Sequence, residues 1–324
     1  MKLSLFEICI TRPLGFLISI IYDLVQNYGL AIILFTIVVK LILMPLQVKS
    51  QKAMKRQQKV QPIIAELQKK YANDQQKLQQ EMMKVYKENN ISMSGGCLPL
   101  LIQMPILIAL YSVIRKPLTY IKGVDFYAES VIESVKGILS KMQEAFPEVI
   151  GNLATSTVEV IRDNYQIQLA KWSEMLGSAS ELGWDINFNF LGLDLSGLPN
   201  ESLSAIMSGN FADIGKVLLI LIPALAMFTT WLSMKYSQSQ APQPQNTNDD
   251  NPAQSMSKSM NLMMPIMTGF FTFTLPSGIG IYWIISSVMQ MVQQFIINKY
   301  FDRKEDDFVV KLPEKNRKNS KKRR

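Results

Sequence analysis

Apolar residues along this chain are concentrated in blocks that are separated by polar and charged stretches. Five blocks approach the length that a helix needs to cross a bilayer. We predict spanning helices at 29–48, 98–115, 216–236, 259–275 and 278–298. The last two blocks are separated by Pro276-Ser277-Gly278, which predicts a tight turn between antiparallel helices. The pattern therefore indicates an all-α polytopic membrane protein.

Residues 1–28 precede the first block and show a weaker periodicity. Leu14, Leu17, Ile21 and Leu24 recur at helical spacing, whereas Asp23 lies off that face. We predict an amphipathic helix that lies in the membrane interface on the external side. We expect no cleaved signal peptide, because the residues before Cys9 do not form a small-residue cleavage site.

Residues 49–97 change abruptly to polar and basic sequence. Ile63, Leu67 and Tyr71 form one thin apolar stripe, and Leu78, Met82, Val85 and Tyr86 form a second one after the turn signal Asn73-Asp74. This pattern predicts a helical hairpin closed by the two stripes, with a bend at Pro62. A solvated linker is the alternative.

Charge predicts the orientation of these segments. The hairpin and the tail at 299–324 are basic, whereas the loop at 116–215 has an acidic excess. The positive-inside rule therefore places the hairpin, the polar linker at 237–258 and the C-terminus in the cytoplasm, and the N-terminus and the acidic loop outside. Within that loop, amphipathic helices are predicted near 131–142 and 158–176, and the aromatic, glycine-rich stretch 183–199 suits a membrane surface.

Lys40 is a single charge inside the first apolar block. It lies about 13 Å of helix before Lys49, which is longer than a lysine comfortably snorkels. None of the other apolar blocks contains an Asp or Glu that would pair with it. We therefore expect Lys40 to line a water-filled cavity. A lysine that reaches the headgroups is the alternative.

Several kinds of chemistry are excluded by composition. The chain has no histidine, which removes His-based triads and HExxH zinc sites, and it has no P-loop. We expect no catalytic residue, no metal and no cofactor, and hence no enzyme.

Three stretches carry a family resemblance: GGCLPLLIQMPILIALY at 95–111, the lysine-rich hairpin, and MMPIMTGFF through FIIN at 263–298. They resemble the YidC/Oxa/Alb family of membrane protein insertases. The resemblance implies five core helices that enclose a hydrophilic groove, open to the cytoplasm and to lipid and closed outside. Lys40 lies at the position of the family's basic groove residue, where arginine is usual. The large external domain of double-membraned bacterial members is not found before the first block.

The resemblance also implies a function in the bacterial cytoplasmic membrane. Short external segments of nascent membrane proteins are expected to pass through the groove, while their transmembrane helices enter the bilayer. The candidate groove residues are Lys40, Thr36, Gln103 and Gln290. The residues expected to contact the apolar helix of the substrate as it enters lipid are Trp231, Tyr282 and Trp283. The candidates for capture of ribosome or substrate are Lys52, Lys55, Arg56, Lys59, Lys321, Lys322, Arg323 and Arg324. One face of the last helix carries polar side chains at helical spacing: Ser286, Ser287, Gln290, Gln293 and Gln294. Contact between helices is the alternative to a role of these side chains in the groove.

The expected partners are nascent membrane proteins, ribosomal RNA through the basic tail, membrane lipids and the Sec translocon, with the protein acting as a monomer and without a small-molecule substrate. A transporter that uses Lys40 as an anion site is the alternative, although the chain lacks the internal symmetry of such proteins. An assembly chaperone that translocates nothing also stays open.

Overall fold

The computed structural model describes residues 5–91, 98–207, 209, 214–239, 252–301 and 310. It is predominantly helical and divides into two compact units. The first unit comprises Met1–Val39, Met104–Trp231 and Leu262–Ser287, and the second comprises Lys40–Gln103, Leu232–Asn261 and Val288–Arg324. Each unit is described separately below.

The helices of the N-terminal half begin with a π-helical turn at Glu7–Thr11. They are α1 Arg12–Val25, α2 Tyr28–Ile42, α3 Met44–Lys70, α4 Gln75–Glu88, α5 Leu98–Arg115, α6 Pro117–Tyr120, α7 Glu129–Ala145, α8 Pro147–Ile150, α9 Val158–Asn164 and α10 Gln166–Met175. A 3₁₀ turn at Gly151–Thr155 follows α8.

The remaining elements are α11 Ala179–Leu182, the strands β1 Asn189–Phe190 and β2 Leu193–Asp194, α12 Pro199–Met207, α13 Ile214–Leu218, α14 Leu221–Ser239, α15 Pro252–Thr274 and α16 Ser277–Phe301. The strands pair antiparallel, with Asn189 opposite Asp194.

Among the described residues, two helical stretches are long and apolar enough to cross a membrane, Glu7–Val25 and Ser277–Lys299. A third is the bent pair of α2 and α3, if both count as one span. Gln103–Arg115 and Leu262–Thr274 are shorter apolar helices. The structure is therefore consistent with a helical membrane protein, and the five spans stay a prediction.

The N-terminal helix has two apolar faces. Ile18, Ile21 and Tyr22 are buried, whereas Phe16 and Leu24 are 70% and 80% exposed. Gln26 ends α1 in the left-handed conformation, with φ of 49°. Together with the preceding π-helical turn, the helix is long enough to be a candidate span, Glu7–Val25, so its position in the interface stays a prediction.

The segment 29–48, predicted as one helix, is two helices. The chain breaks at Leu43, and α2 and α3 are bent by 59° at that point. Pro45 explains the break, because it has no N–H to donate to the carbonyl of Leu41 and it disfavours helical geometry at Met44. The expectation of one continuous helix is therefore wrong.

The segment predicted at 216–236 is also interrupted, between α13 and α14. Pro223 lies in the first turn of α14, where a backbone N–H makes no hydrogen bond within the helix, so proline is tolerated there.

The helical hairpin of α3 and α4 belongs to the second unit and is confirmed. Its core is Val60, Ile64, Leu67, Leu78, Val85, Tyr86 and Ile91, with Ile63, Tyr71 and Met82 packed against it. Asp74 begins α4 as the N-cap, since its side chain accepts a hydrogen bond of 3.0 Å from the Lys77 amide. Pro62 lies inside α3, which continues as a helix through it.

The connection between α5 and α13, residues 117–207, is folded and belongs to the first unit. Helix α7 buries Val135, Ile138, Leu139 and Met142, as its period predicts. The second predicted helix is divided at Tyr165 into α9 and α10.

The aromatic stretch of this connection corrects one expectation. Trp184, Ile186 and Phe188 are buried at a spacing of two residues, and β1 and β2 form a small hairpin. Apart from this hairpin, the described elements are helices, and the predicted all-α class is confirmed. Leu191, at φ of 53° in the turn, is 86% exposed, but the aromatic side chains fill the interior of the unit instead of covering a membrane surface.

The connection is joined to the apolar helices by hydrogen bonds between side chains and backbone groups. The Asn187 amide donates to Tyr22 Oη at 2.9 Å, Asn27 Nδ2 donates to the Asn189 carbonyl at 2.8 Å, and Ser277 Oγ donates to the Gly197 carbonyl at 2.7 Å. Each bond pairs one polar group of a helix end with a backbone group of the connection. These bonds fix the ends of α1, α2 and α16 within the first unit.

Candidate functional site

Lys40 lies in the last turn of α2 and is 5% exposed. Within the part of the chain that the structure describes, its ammonium group has no hydrogen bond and no salt bridge. Removing a cation from bulk water without a counter-charge is strongly unfavourable. A buried, unpaired lysine therefore requires water or an anionic ligand to accompany it.

The backbone at Lys40 is held by the last helix. Because Pro45 interrupts the helix, the final carbonyls of α2 need donors other than the regular helical amides. The amide Nε2 of Gln293, which is 3% exposed, donates to the Lys40 carbonyl at 2.7 Å. The second unit thus fixes the residue that carries the cation through a buried glutamine of α16.

Further polar side chains are buried in the same unit. Ser50 Oγ and both amide atoms of Asn298 are buried without a hydrogen-bond partner among the described residues. Gln51 and Gln294 are also buried, and Gln294 Nε2 is 3.4 Å from Ser237 Oγ. Unpaired buried polar groups are rare in folded proteins and are usually satisfied by water. Ser50 and Asn298 are therefore positions where water or a ligand would complete the hydrogen bonding.

The other predicted groove residues differ in their surroundings. Thr36, in the first unit, is 1% exposed, and its hydroxyl donates to the Ile32 carbonyl of its own helix at 2.6 Å. Gln103 is half-buried and Gln290 is exposed, both in the second unit. Gln293, one turn after Gln290, is the glutamine that contacts Lys40.

The predicted aromatic contacts all belong to the first unit. Trp231 is 43% exposed and stacks on Phe228 with ring centroids 6.1 Å apart. Tyr282 is buried and Trp283 is half-buried, and their rings meet edge to face at 6.4 Å. Trp231 and Trp283 thus retain the exposed area that a contact with lipid or an apolar helix needs.

The predicted capture residues Lys52, Lys55, Arg56 and Lys59 are half-buried along α3. Lys321, Lys322, Arg323 and Arg324 lie outside the described residues.

Three polar groups of the second unit were not predicted as site residues: Ser50, Gln293 and Asn298. The sequence contained a signal for Gln293, because Ser286, Gln290, Gln293 and Gln294 recur at helical spacing. That periodicity identifies a polar face but not which of its residues contacts Lys40. Ser50 had no signal, since it lies in a generally polar stretch.

A comparison with protein families gives a match over residues 20–305 to the family described as 60Kd inner membrane protein. The chain belongs to this family. The match covers most of the chain, including Lys40, the hairpin, the connection and α16. Membership confirms the resemblance drawn from the sequence.

Three relatives, two of them of similar length, agree with this match. A protein named Membrane protein insertase YidC from Clostridium perfringens is 31% identical over 322 residues, 97% of this chain and 92% of the relative. One of the same name from Caldanaerobacter subterraneus is 28% identical over 287 residues, 89% of this chain and 93% of the relative. A third, from Clostridium tetani, is 53% identical over 111 residues, 34% of this chain and 50% of the relative.

Proposed function

We infer that this protein is a membrane protein insertase of the bacterial inner membrane. Family membership and the YidC insertases of matching length support this function. The observation that carries the mechanism is the buried side chain of Lys40, whose ammonium group has no hydrogen bond or salt bridge in the described structure. We propose that Lys40 lines a hydrophilic groove for the short external segments of nascent membrane proteins.

The physical advantage of such a groove is the solvent it supplies. A polar segment that crosses hydrocarbon loses its hydration, whereas a segment that moves partway in water keeps most of it. Ser50, Gln293 and Asn298 add polar groups to the unit that carries Lys40, which supports a hydrated path. The membrane potential then favours outward movement of acidic segments by about 2.3 kcal/mol per charge per 100 mV.

A lysine in this position recognises charge more than shape. Its ammonium is a compact cation on a flexible stem, whereas an arginine forms a planar fork that binds a carboxylate through two hydrogen bonds. We therefore expect selectivity for acidic segments without a strict geometric requirement. Gln103, Thr36 and Gln290 are proposed as further groove residues.

The remaining parts are assigned to capture and release. In the proposed topology, the basic hairpin of α3 and α4 receives the nascent chain in the cytoplasm, and the basic tail contacts ribosomal RNA. Trp231, Tyr282 and Trp283 are proposed to contact the apolar helix of the client as it enters lipid. The protein is proposed to act as a monomer, alone or beside the Sec translocon, and to catalyse no covalent reaction.

The test is insertion into proteoliposomes that contain purified variants. We expect Lys40→Glu to slow insertion of a client with an acidic external tail about tenfold or more, because a buried like charge costs at least a few kcal/mol. Lys40→Arg, which keeps the charge, should insert at a rate near that of the wild type.

Lys136→Glu, at an exposed site on α7, is the control for the same change in net charge. Unchanged insertion by Lys40→Glu, or an equal loss in Lys136→Glu, would contradict the role of Lys40 in the groove.

A further inference from the structure

The turn between β1 and β2 presents a leucine where the backbone favours other residues. Leu191 and Gly192 connect the two strands, and both have a positive φ, 53° and 79°. A two-residue turn of this kind favours asparagine, aspartate or glycine at its first position, because larger side chains are strained in the left-handed conformation. The Leu191 side chain is nevertheless 86% exposed. Packing within the described part of the chain therefore does not offset the cost of a leucine at this position.

The β-hairpin is held at the start of α2. Asn27 Nδ2 donates to the Asn189 carbonyl at 2.8 Å. Phe190, which precedes Leu191, packs so closely over Gly29 that a Cβ added to the glycine would lie 2.5 Å from the ring. Gly29 is the first residue of the first apolar block, and α2 begins the candidate span of α2 and α3. These contacts place the turn at the level where the apolar block begins.

Charge and backbone polarity do not oppose contact of this turn with lipid. Residues 186–193 carry no charge. Asp194, the next residue, forms an ion pair of 3.2 Å with Lys171. The carbonyl of Asn187 accepts a hydrogen bond of 2.9 Å from the Tyr28 amide. Unpaired polar groups are costly next to hydrocarbon, so their pairing here makes the turn compatible with a membrane.

Further leucines are exposed on the elements that meet at this point. Leu24, in the last turn of α1, is 80% exposed, and Leu30 and Leu34 are exposed one turn apart on α2. Only Gln26-Asn27 separates α1 from α2. Because the chain belongs to a family of inner membrane proteins, lipid is the apolar phase that covers exposed leucines at the start of a span. Leu191 is attached to the same helix ends, which identifies lipid as its partner too.

We propose that Leu191 inserts into the hydrocarbon of the membrane leaflet on the side of the folded connection, so that the β-hairpin anchors this connection to lipid. Transfer of a leucine side chain from water to hydrocarbon is favourable and offsets the cost of the left-handed backbone. The anchor goes beyond the proposed insertase function, since it requires a membrane but neither a client nor the groove at Lys40.

The anchor is tested in purified full-length protein that is reconstituted as single copies in lipid nanodiscs. Cys9 and Cys97 are replaced by serine, and a bimane fluorophore is attached to Leu191→Cys or, as the control, to Val149→Cys. Val149 is 55% exposed on α8, a helix of the same connection. Lipids with a spin-labelled acyl chain, which quench fluorophores in the hydrocarbon, should lower the emission of Leu191→Cys by about twofold or more and leave the control unchanged. Equal quenching of the two variants would overturn the anchor.

Iodide, a quencher confined to water, provides the converse measurement on the same samples. It should quench the fluorophore of Val149→Cys strongly and that of Leu191→Cys weakly. Quenching of Leu191→Cys by iodide and not by the spin-labelled lipid would show that the turn lies in water, contrary to the proposal. Protection of Leu191→Cys from both quenchers would indicate a contact with protein and would equally overturn it.

Discussion

The two units differ in how completely their buried polar side chains are paired. In the first unit, Tyr28 is fully buried, and its hydroxyl donates to the Ile114 carbonyl at 2.8 Å. Gln166 is also fully buried and makes three hydrogen bonds. In the second unit, Ser50 and Asn298 have buried polar side-chain atoms without partners among the described residues.

Complete pairing favours a rigid interior, whereas the unpaired groups of the second unit support the proposed hydrated groove. Satisfied buried polar groups specify one arrangement, because each alternative leaves a donor or an acceptor unpaired. Unsatisfied groups lower stability and persist where water, a ligand or a client completes them. The following predictions test this comparison, beginning with the largest effect.

Replacing a buried amide by leucine should have opposite effects in the two units. Gln166 accepts from the Thr119 amide at 2.9 Å and donates to Thr119 Oγ1 at 2.7 Å and to the Arg162 carbonyl at 2.8 Å. Gln166→Leu leaves three groups unpaired and should lower stability by about 3 kcal/mol or more. Asn298→Leu removes atoms that have no partner, so the apparent Tm in detergent should stay constant or rise.

Insertion assays on the same variants sharpen the comparison. If the proposed groove is hydrated, Asn298→Leu should slow insertion despite its unchanged Tm, because it removes a polar group from the unit that carries Lys40. A large fall in the Tm of Asn298→Leu would mean that the second unit satisfies its polar groups in the same way as the first.

Close packing in the first unit predicts the second-largest effect, a loss of stability when Gly29 is replaced. A Cβ added at Gly29 would lie 2.5 Å from Phe190 Cγ and 2.7 Å from Phe190 Cβ, so a rotation of the ring does not relieve the clash. Gly29→Ala should lower stability by about 1 to 3 kcal/mol, as expected for overpacking.

The matched control is Gly137→Ala on the exposed side of α7, where a Cβ meets no atom within 4 Å. This change should raise stability by up to about 1 kcal/mol, since alanine favours helix more than glycine does. Thermal unfolding of both variants measures the difference. Equal shifts of the apparent Tm would show that α2 and β1 are not closely packed.

Acid should lower the stability of the first unit by less than Gln166→Leu or Gly29→Ala does. Hydrogen bonds from Arg162 and, to a lesser extent, from Lys116 lower the pKa of Asp163 to about 2. The folded-state pKa lies below the unfolded value of 3.8, so the stabilisation is complete above pH 4 and is lost as the pH falls towards 2. Because the Asp163 side chain is 44% exposed, screening limits the effect to about 1 kcal/mol.

Thermal unfolding between pH 5 and 2 measures this dependence. Asp163→Asn should lose that part of the acid response, and the mutant and wild-type curves should converge at low pH. Parallel curves over the whole range would contradict the role of the ion pairs.

Local periodicity predicted the hairpin well. Leu67 belongs to a stripe of three residues, Leu78 and Val85 belong to a stripe of four, and the partner helix lies only a short turn away. The same reasoning predicted α7, whose buried face follows the helical repeat.

Features that depend on distant residues were missed. Burial of Trp184, Ile186 and Phe188 follows from contacts within the first unit, although their spacing of two already favoured an extended segment. The break at Leu43 was missed for a different reason. Pro45 is a local cause of the break, but the apolar sequence on both sides of it has the pattern of one continuous helix. The hydrogen bond between Gln293 and the Lys40 carbonyl joins residues 253 positions apart, and no local pattern predicts such a pair.

The hydrogen bond between Tyr22 and Asn187 has a consequence for the order of events during synthesis. The two residues are 165 positions apart, and Asn27 and Asn189 are 162 positions apart. A ribosome that adds about 5 to 20 residues per second needs roughly 8 to 30 s to make that stretch. The hairpin of α3 and α4 needs only neighbouring sequence and is complete long before. The hairpin of α3 and α4 is therefore complete before Asn187 and Asn189, the hydrogen-bond partners of Tyr22 and Asn27, have been synthesised.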